Sequence, residues 1–93
     1  MKLLFEWDVH KAKSNILKHG ISFEEASTVF SDSRSLTMND PMHSGHEKRF
    51  VTQGLSVKNR LLVVIHTDRG ERIRIISARP ASRRERKQYE EKT

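Results

Sequence analysis

The chain has 93 residues, 34% hydrophobic and 32% charged, with no cysteine and a net charge of +6. That is room for one small domain with a modest core, and it excludes disulfides, thiolate metal sites and cysteine nucleophiles. The longest apolar run, Leu61 to Ile65, is too short to span a bilayer, and Met1 to Phe5 meets Glu6 and Asp8 at once, so neither a membrane span nor a signal peptide is expected and the composition fits a cytoplasmic protein.

Leu3 to Trp7 reads as a short first strand. Asp8 is a good N-cap for a helix from Val9 to His19, with Ile16 and Leu17 expected inward, Lys11, Lys13 and Lys18 outward, and Gly20 just past its end. Ser22 and Glu25 have the spacing of a capping box, which opens a second helix to about Phe30 that buries Phe23, Ala26, Val29 and Phe30. Asp32 to Arg34 is a turn, Ser35 to Met38 a short edge strand, and Asn39 to His46 a loop. Glu47 to Leu55 reads as a strand, and so does Arg60 to Thr67, whose continuous apolar run predicts a central position buried on both faces. Gly70 turns the chain into a last strand, Arg72 to Arg79, and Pro80 stops it. Ser82 and Glu85 form a second capping box at the start of a final helix. The order β-α-α-β-β-β-β-α predicts a single α+β domain over residues 1–93, with a central antiparallel sheet, two N-terminal helices and a C-terminal helix.

The net charge is confined to the last third. From Lys58 to Thr93 eleven basic residues face five acidic ones, and the preceding residues sum to zero. The cations occupy the last strand and last helix and are nearly all arginine, whose planar fork grips phosphate with two donors. A folded, one-sided arginine surface is the footprint of a nucleic-acid binder.

Several motifs resemble one family. Phe5-x-Trp7-Asp8 with Lys11, then Asn15-x-x-Lys18-His19-Gly20-Ile21-Ser22-Phe23-Glu24-Glu25-Ala26, is similar to the N-terminal half of the BrnT toxins. His43-Ser44-x-x-Glu47-x-Arg49-Phe50 resembles their middle motif. Arg60-x-Leu62-x-Val64-x-His66-Thr67, Arg74-Ile75-Ile76-Ser77-Ala78-Arg79, then Ala81, Arg84-Glu85-Arg86 and Tyr89-Glu90 resemble the C-terminal half. The resemblance implies a RelE-like fold and the toxin of a type II toxin–antitoxin system. It further implies an endoribonuclease that arrests growth, a BrnA-type antitoxin as partner, and operator DNA bound only by the toxin–antitoxin complex.

Metal-free RNA cleavage needs a base for the 2′-hydroxyl, cations for the phosphorane and an acid for the 5′-oxygen. No cofactor is called for, and with no cysteine and no carboxylate cluster the parts of a two-metal nuclease are missing from the sequence. His43 and His46 before Glu47 have metal-like spacing but no third fixed ligand. The catalytic candidates are Arg79, His66, Glu47, Arg49 and Tyr89. Each has a plainer alternative: an ion pair from Arg79 to Glu85 or Glu90, a satisfied half-buried His66, a cross-strand bridge at Glu47 and Arg49, a core-packed Tyr89. Trp7 either stacks a base or fills the core. Arg69, Arg72, Arg74, Arg83, Arg84, Arg86 and Lys87 are the candidate RNA contacts, and the like charges crowding the last helix ask for an anionic partner, RNA or an acidic antitoxin surface. The competing readings are a nucleic-acid-binding module that leaves its ligand uncut and a module that only docks an acidic protein.

Overall fold

The computed structural model describes residues 3–40 and 47–92. The elements are β1 (Leu4–Glu6), α1 (Val9–His19), α2 (Phe23–Thr28) continued by a 3-10 turn (Val29–Ser31), β2 (Leu36–Asn39), β3 (Arg49–Leu55), β4 (Leu61–Arg69), β5 (Arg72–Pro80) and α3 (Arg83–Glu91). They form the expected α+β domain, with five strands in the order β1-β5-β4-β3-β2. β2 to β5 are antiparallel neighbours, and β1 adds to the outer edge of β5 in parallel, Leu4 to Glu6 opposite Arg72 to Arg74. Among the described residues no helix is long and apolar enough to cross a membrane. His43 and His46, the weak metal motif, lie outside the described residues.

Paired residues share a face of a sheet and faces alternate along each strand. One face carries Phe50, Thr52 and Gly54 of β3, Leu62, Val64 and His66 of β4, and Ile75 and Ala78 of β5, a β-bulge at Ile65 and His66 keeping the strands in step. Ile21, Phe23, Ala26 and Val29 pack on it, and the cluster is fully enclosed, each large side chain contributing about 1.5–3 kcal/mol. Gly54 permits this packing, because a Cβ there would sit 2.8 Å from Val29 Cγ1. Leu61, Leu62, Val63 and Val64 are all buried, as the apolar run of β4 predicts. The second face carries the arginines and is crossed at one end by α3, which packs on β3.

The local signals act largely as read. Asp8 Oδ1 accepts from the His10 and Lys11 N–H groups, and Gly20 ends α1 at a positive φ of 71°. The Ser82 and Glu85 capping box is complete. The first box is half formed: Ser22 Oγ accepts from Glu25 N–H, but the Glu25 carboxylate turns inward to Ser56 and Arg60.

The expected inward face of α1 is corrected. Ile16 is 49% exposed and Leu17 90% exposed. β1 covers only the start of β5, so α1 lies against the remaining edge and turns Asn15 towards it. Asn15 Nδ2 donates to the Ala78 carbonyl and Oδ1 accepts from the Ala78 N–H, so a side chain occupies the position of a missing strand. That orientation swings Ile16 and Leu17 outward.

Candidate nucleic-acid interface

The antiparallel register assembles the arginine face. Arg49 of β3 stands opposite Thr67 of β4, Thr67 opposite Arg74 of β5, and Arg74 opposite Glu6 of β1. One straight row across four strands therefore reads Arg49, Thr67, Arg74, Glu6. On one side of it Arg69 stands opposite Arg72, and towards α3 Val63 stands opposite Arg79. Alternation puts Arg72, Arg74 and Arg79 of β5 on this one face, interrupted only by the bulge.

The row is unevenly neutralised. Arg74 Nη1 donates to Glu6 Oε2 at 3.0 Å, and Arg69 Nη1 lies 4.0 Å from the same oxygen. Arg69 Nε donates to Glu47 Oε2 at 3.0 Å. Arg49 is half-buried, and its guanidinium makes no hydrogen bond or ion pair among the described residues. Beside it Thr67 is 1% exposed and its Oγ1 has no partner, and Gln53 Oε1 on the same face of β3 is likewise buried and unpartnered. A half-buried cation without a counter-ion is an arrangement that an anion completes.

Arg79 takes the ion-pair arrangement. Its Nη1 and Nη2 donate to the two carboxylate oxygens of Glu85 at 2.7 and 2.8 Å. Glu85 also accepts from the Ser82 N–H, and the Arg79 guanidinium beside it holds its carboxyl down at about 2. Arg79 thus ties the end of β5 to the first turn of α3.

His66 lies on the opposite face of the sheet from Arg79, and Tyr89 of α3 is engaged with Asp32. His66 points into the helical face, where Phe30 meets its ring edge-on at 4.9 Å and Phe50 stacks at 5.7 Å. Its Nε2 is 2.8 Å from Thr52 Oγ1, Nδ1 is unpartnered, and burial pushes the ring below its usual range despite the opposing Asp68 carboxylate. The parity of β4 separates them: residue 66 faces the core when residue 67 faces the arginines. Tyr89 is buried and its hydroxyl donates to Asp32 Oδ2 at 2.6 Å; burial, reinforced by that carboxylate, pushes the phenol up to about 12. Trp7 packs edge-to-face on Phe23 at 5.9 Å and belongs to the core. Glu47 is exposed at the rim on Arg69, rather than bridged to Arg49. Arg83, Arg84, Arg86 and Lys87 are exposed on α3.

Sequence reasoning missed Thr67, Gln53 and Glu6. Thr67 and Gln53 look like ordinary β residues, and only cross-strand pairing sets Thr67 between two arginines. For Glu6 a signal existed: it alternates with the core-facing Phe5 and Trp7, so it had to face the other side. Among the described residues no three His, Asp or Glu side chains gather into a metal-binding group.

Residues 7–85 match the family described as "Ribonuclease toxin, BrnT, of type II toxin-antitoxin system". A crystal structure of the ribonuclease toxin BrnT of Brucella abortus is similar in fold, with a TM-score of 0.65 and 25% identity over 88% of this chain and 100% of that one. No curated protein matches the sequence.

Proposed function

Since the chain belongs to the BrnT ribonuclease toxins of type II toxin–antitoxin systems, we propose that it cuts RNA on its arginine face without a metal ion. The observation that carries this reading is Arg49, a half-buried cation with no counter-ion among the described residues, set beside the unpartnered Thr67 hydroxyl and across it from Arg74. A phosphate between them meets two guanidinium forks. The same charges stabilise the phosphorane as the 2′-oxygen attacks, which is the service a metal gives in other nucleases. Arg69 and Arg72 extend the cationic track along the backbone of the RNA. Arg79, clamped by Glu85, orders the α3 end of the face.

Acting in the cytoplasm, the free protein degrades cellular RNA and arrests growth. A BrnA-type antitoxin neutralises it, and the complex binds operator DNA. The exposed Arg83, Arg84, Arg86 and Lys87 of α3 draw in RNA or meet the antitoxin.

The test is cleavage of end-labelled RNA by the purified protein in EDTA, with expression in the absence of the antitoxin as its cellular counterpart. The expected result is cut RNA bearing 2′,3′-cyclic phosphate ends, halted growth, and a loss of about 100-fold or more for Arg49→Ala. Intact RNA with folded protein, or activity abolished by EDTA, overturns the reading.

A further inference from the structure

We propose that Glu6 is the general base of the cleavage, an assignment that rests on RNA being cut on the arginine face. Glu6 closes the row of Arg49, Thr67 and Arg74. Its Oε2 takes one corner of the Arg74 fork, Nη1, at 3.0 Å, and faces Arg69 Nη1 at 4.0 Å. Its Oε1 has no partner among the described residues, and neither do Nε and Nη2 of Arg74. Those two nitrogens are a side-on phosphate grip. A phosphate on them and the Glu6 carboxylate would occupy adjacent corners of one planar cation. A ribose 2′-hydroxyl, next to its own 3′-phosphate, then falls within reach of the open Oε1.

Oε1 takes the 2′-hydroxyl proton as the 2′-oxygen attacks phosphorus. The P–O5′ bond breaks, and the 5′-oxygen leaves with a proton from water. The products are a 2′,3′-cyclic phosphate and a 5′-hydroxyl end, and Glu6 returns its proton to solvent. The charged groups around the carboxylate are Arg74 of β5, Arg69 of β4, Arg72 in the next row, and Glu47 on the far side of Arg69. Glu47 is less suited, because its partner Arg69 lies one row away from the Arg49, Thr67 and Arg74 grip.

The experiment is the pH–rate profile of kcat/KM on a short RNA for wild type, Glu6→Gln, Glu6→Asp and Glu47→Gln, with RNA affinity and melting temperature alongside. Glu6→Gln keeps an oxygen for Arg74 but has no basicity. Its kcat/KM falls about 100-fold or more and its acid limb disappears, while RNA affinity stays within about threefold. Glu6→Asp keeps the acid limb at a rate at least about tenfold lower, its carboxylate being drawn back by one methylene. A Glu6→Gln protein that keeps the acid limb, or a limb lost in Glu47→Gln instead, overturns the assignment. If Glu6→Gln does not fold, Glu6→Asp at the wild-type rate overturns it equally. Wild type that leaves RNA intact removes both the base and the ribonuclease reading; wild type that cuts, with Arg49→Ala inactive and Glu6→Gln unchanged, removes the base alone.

Discussion

Asn15 satisfies both backbone groups of Ala78, donating from Nδ2 to its carbonyl at 2.7 Å and accepting from its N–H at 3.1 Å. The same Nδ2 reaches the Ile21 carbonyl at 2.9 Å, so one buried amide joins the edge of β5, α1 and the entry to α2. Replacing Asn15 by Ala leaves these groups unpaired beneath a helix that blocks water. Each orphaned group costs about 1–3 kcal/mol, so a loss of roughly 2–4 kcal/mol in urea unfolding is expected. Asn15→Asp, which turns an acceptor towards two carbonyl oxygens, loses at least as much. A loss under about 1 kcal/mol for both variants would show that the edge finds other partners.

Glu25 and Arg60 form a second cross-link. The Glu25 side chain is 2% exposed, accepts from Ser56 Oγ at 2.7 Å and from Arg60 Nε at 2.9 Å, and the Arg60 hydrogen bonds hold its carboxyl below its usual range. Arg60 itself is open to water. Removing it strands a buried carboxylate on one hydroxyl, a change that costs up to about 3–5 kcal/mol for a fully buried pair and roughly 1–3 here, where solvent screens the cation. Arg60→Ala is therefore expected to melt well below wild type, and Glu25→Gln in the same chain to recover part of the loss. A double variant no better than Arg60→Ala would show that Arg60 acts by packing alone.

These two links mark where sequence stops being legible. Strand runs, caps and the enclosed β4 rest on neighbours in the chain, and those readings match the structure. The Ser22 and Glu25 spacing also fits a capping box, but a buried carboxylate is drawn to a guanidinium 35 residues away. Hydrophobicity placed Ile16 and Leu17 inside α1, whereas the demand of an unpaired sheet edge for donors and acceptors turned Asn15 inward instead. In the candidate site, composition names the arginines, but strand parity decides which of them share a face. It carried Arg49, Arg74 and Glu6 to one face and His66 to the other, and parity depends on a bulge that no local signal marks.

The Arg79 and Glu85 clamp gives a pH signature. Glu85 titrates at about 2 in the folded protein against 4.5 for the free side chain. A depressed carboxyl contributes stability in full above its unfolded value and loses it as pH falls towards the folded one. The melting-temperature gap between wild type and Glu85→Gln is thus expected to be constant above about pH 5.5, to shrink below the free value of 4.5 and to close near 2. A gap independent of pH would show that the carboxylate charge is not what the clamp uses. Glu85→Gln also loosens Arg79, so RNA affinity at low salt is expected to rise.

Tyr89 offers a separation of stability from chemistry. Its hydroxyl is spent on Asp32, which also accepts from the backbone N–H of Leu55 at 2.9 Å and of Arg34 at 3.0 Å, so Asp32 pins α3, β3 and the turn before β2 together. Tyr89→Phe keeps the packed ring and removes one charge-assisted hydrogen bond, worth about 1.5–3 kcal/mol. The variant is expected to melt lower and to show faster amide exchange in the last turn of α3. Measured below its melting range, it is expected to cut RNA within about threefold of wild type, because the phenol proton is committed to the Asp32 carboxylate and a phenol held at about 12 releases it reluctantly. A folded Tyr89→Phe protein with cleavage reduced about 100-fold or more would instead make Tyr89 the acid for the 5′-oxygen, and α3 would then have to release Asp32 during the reaction.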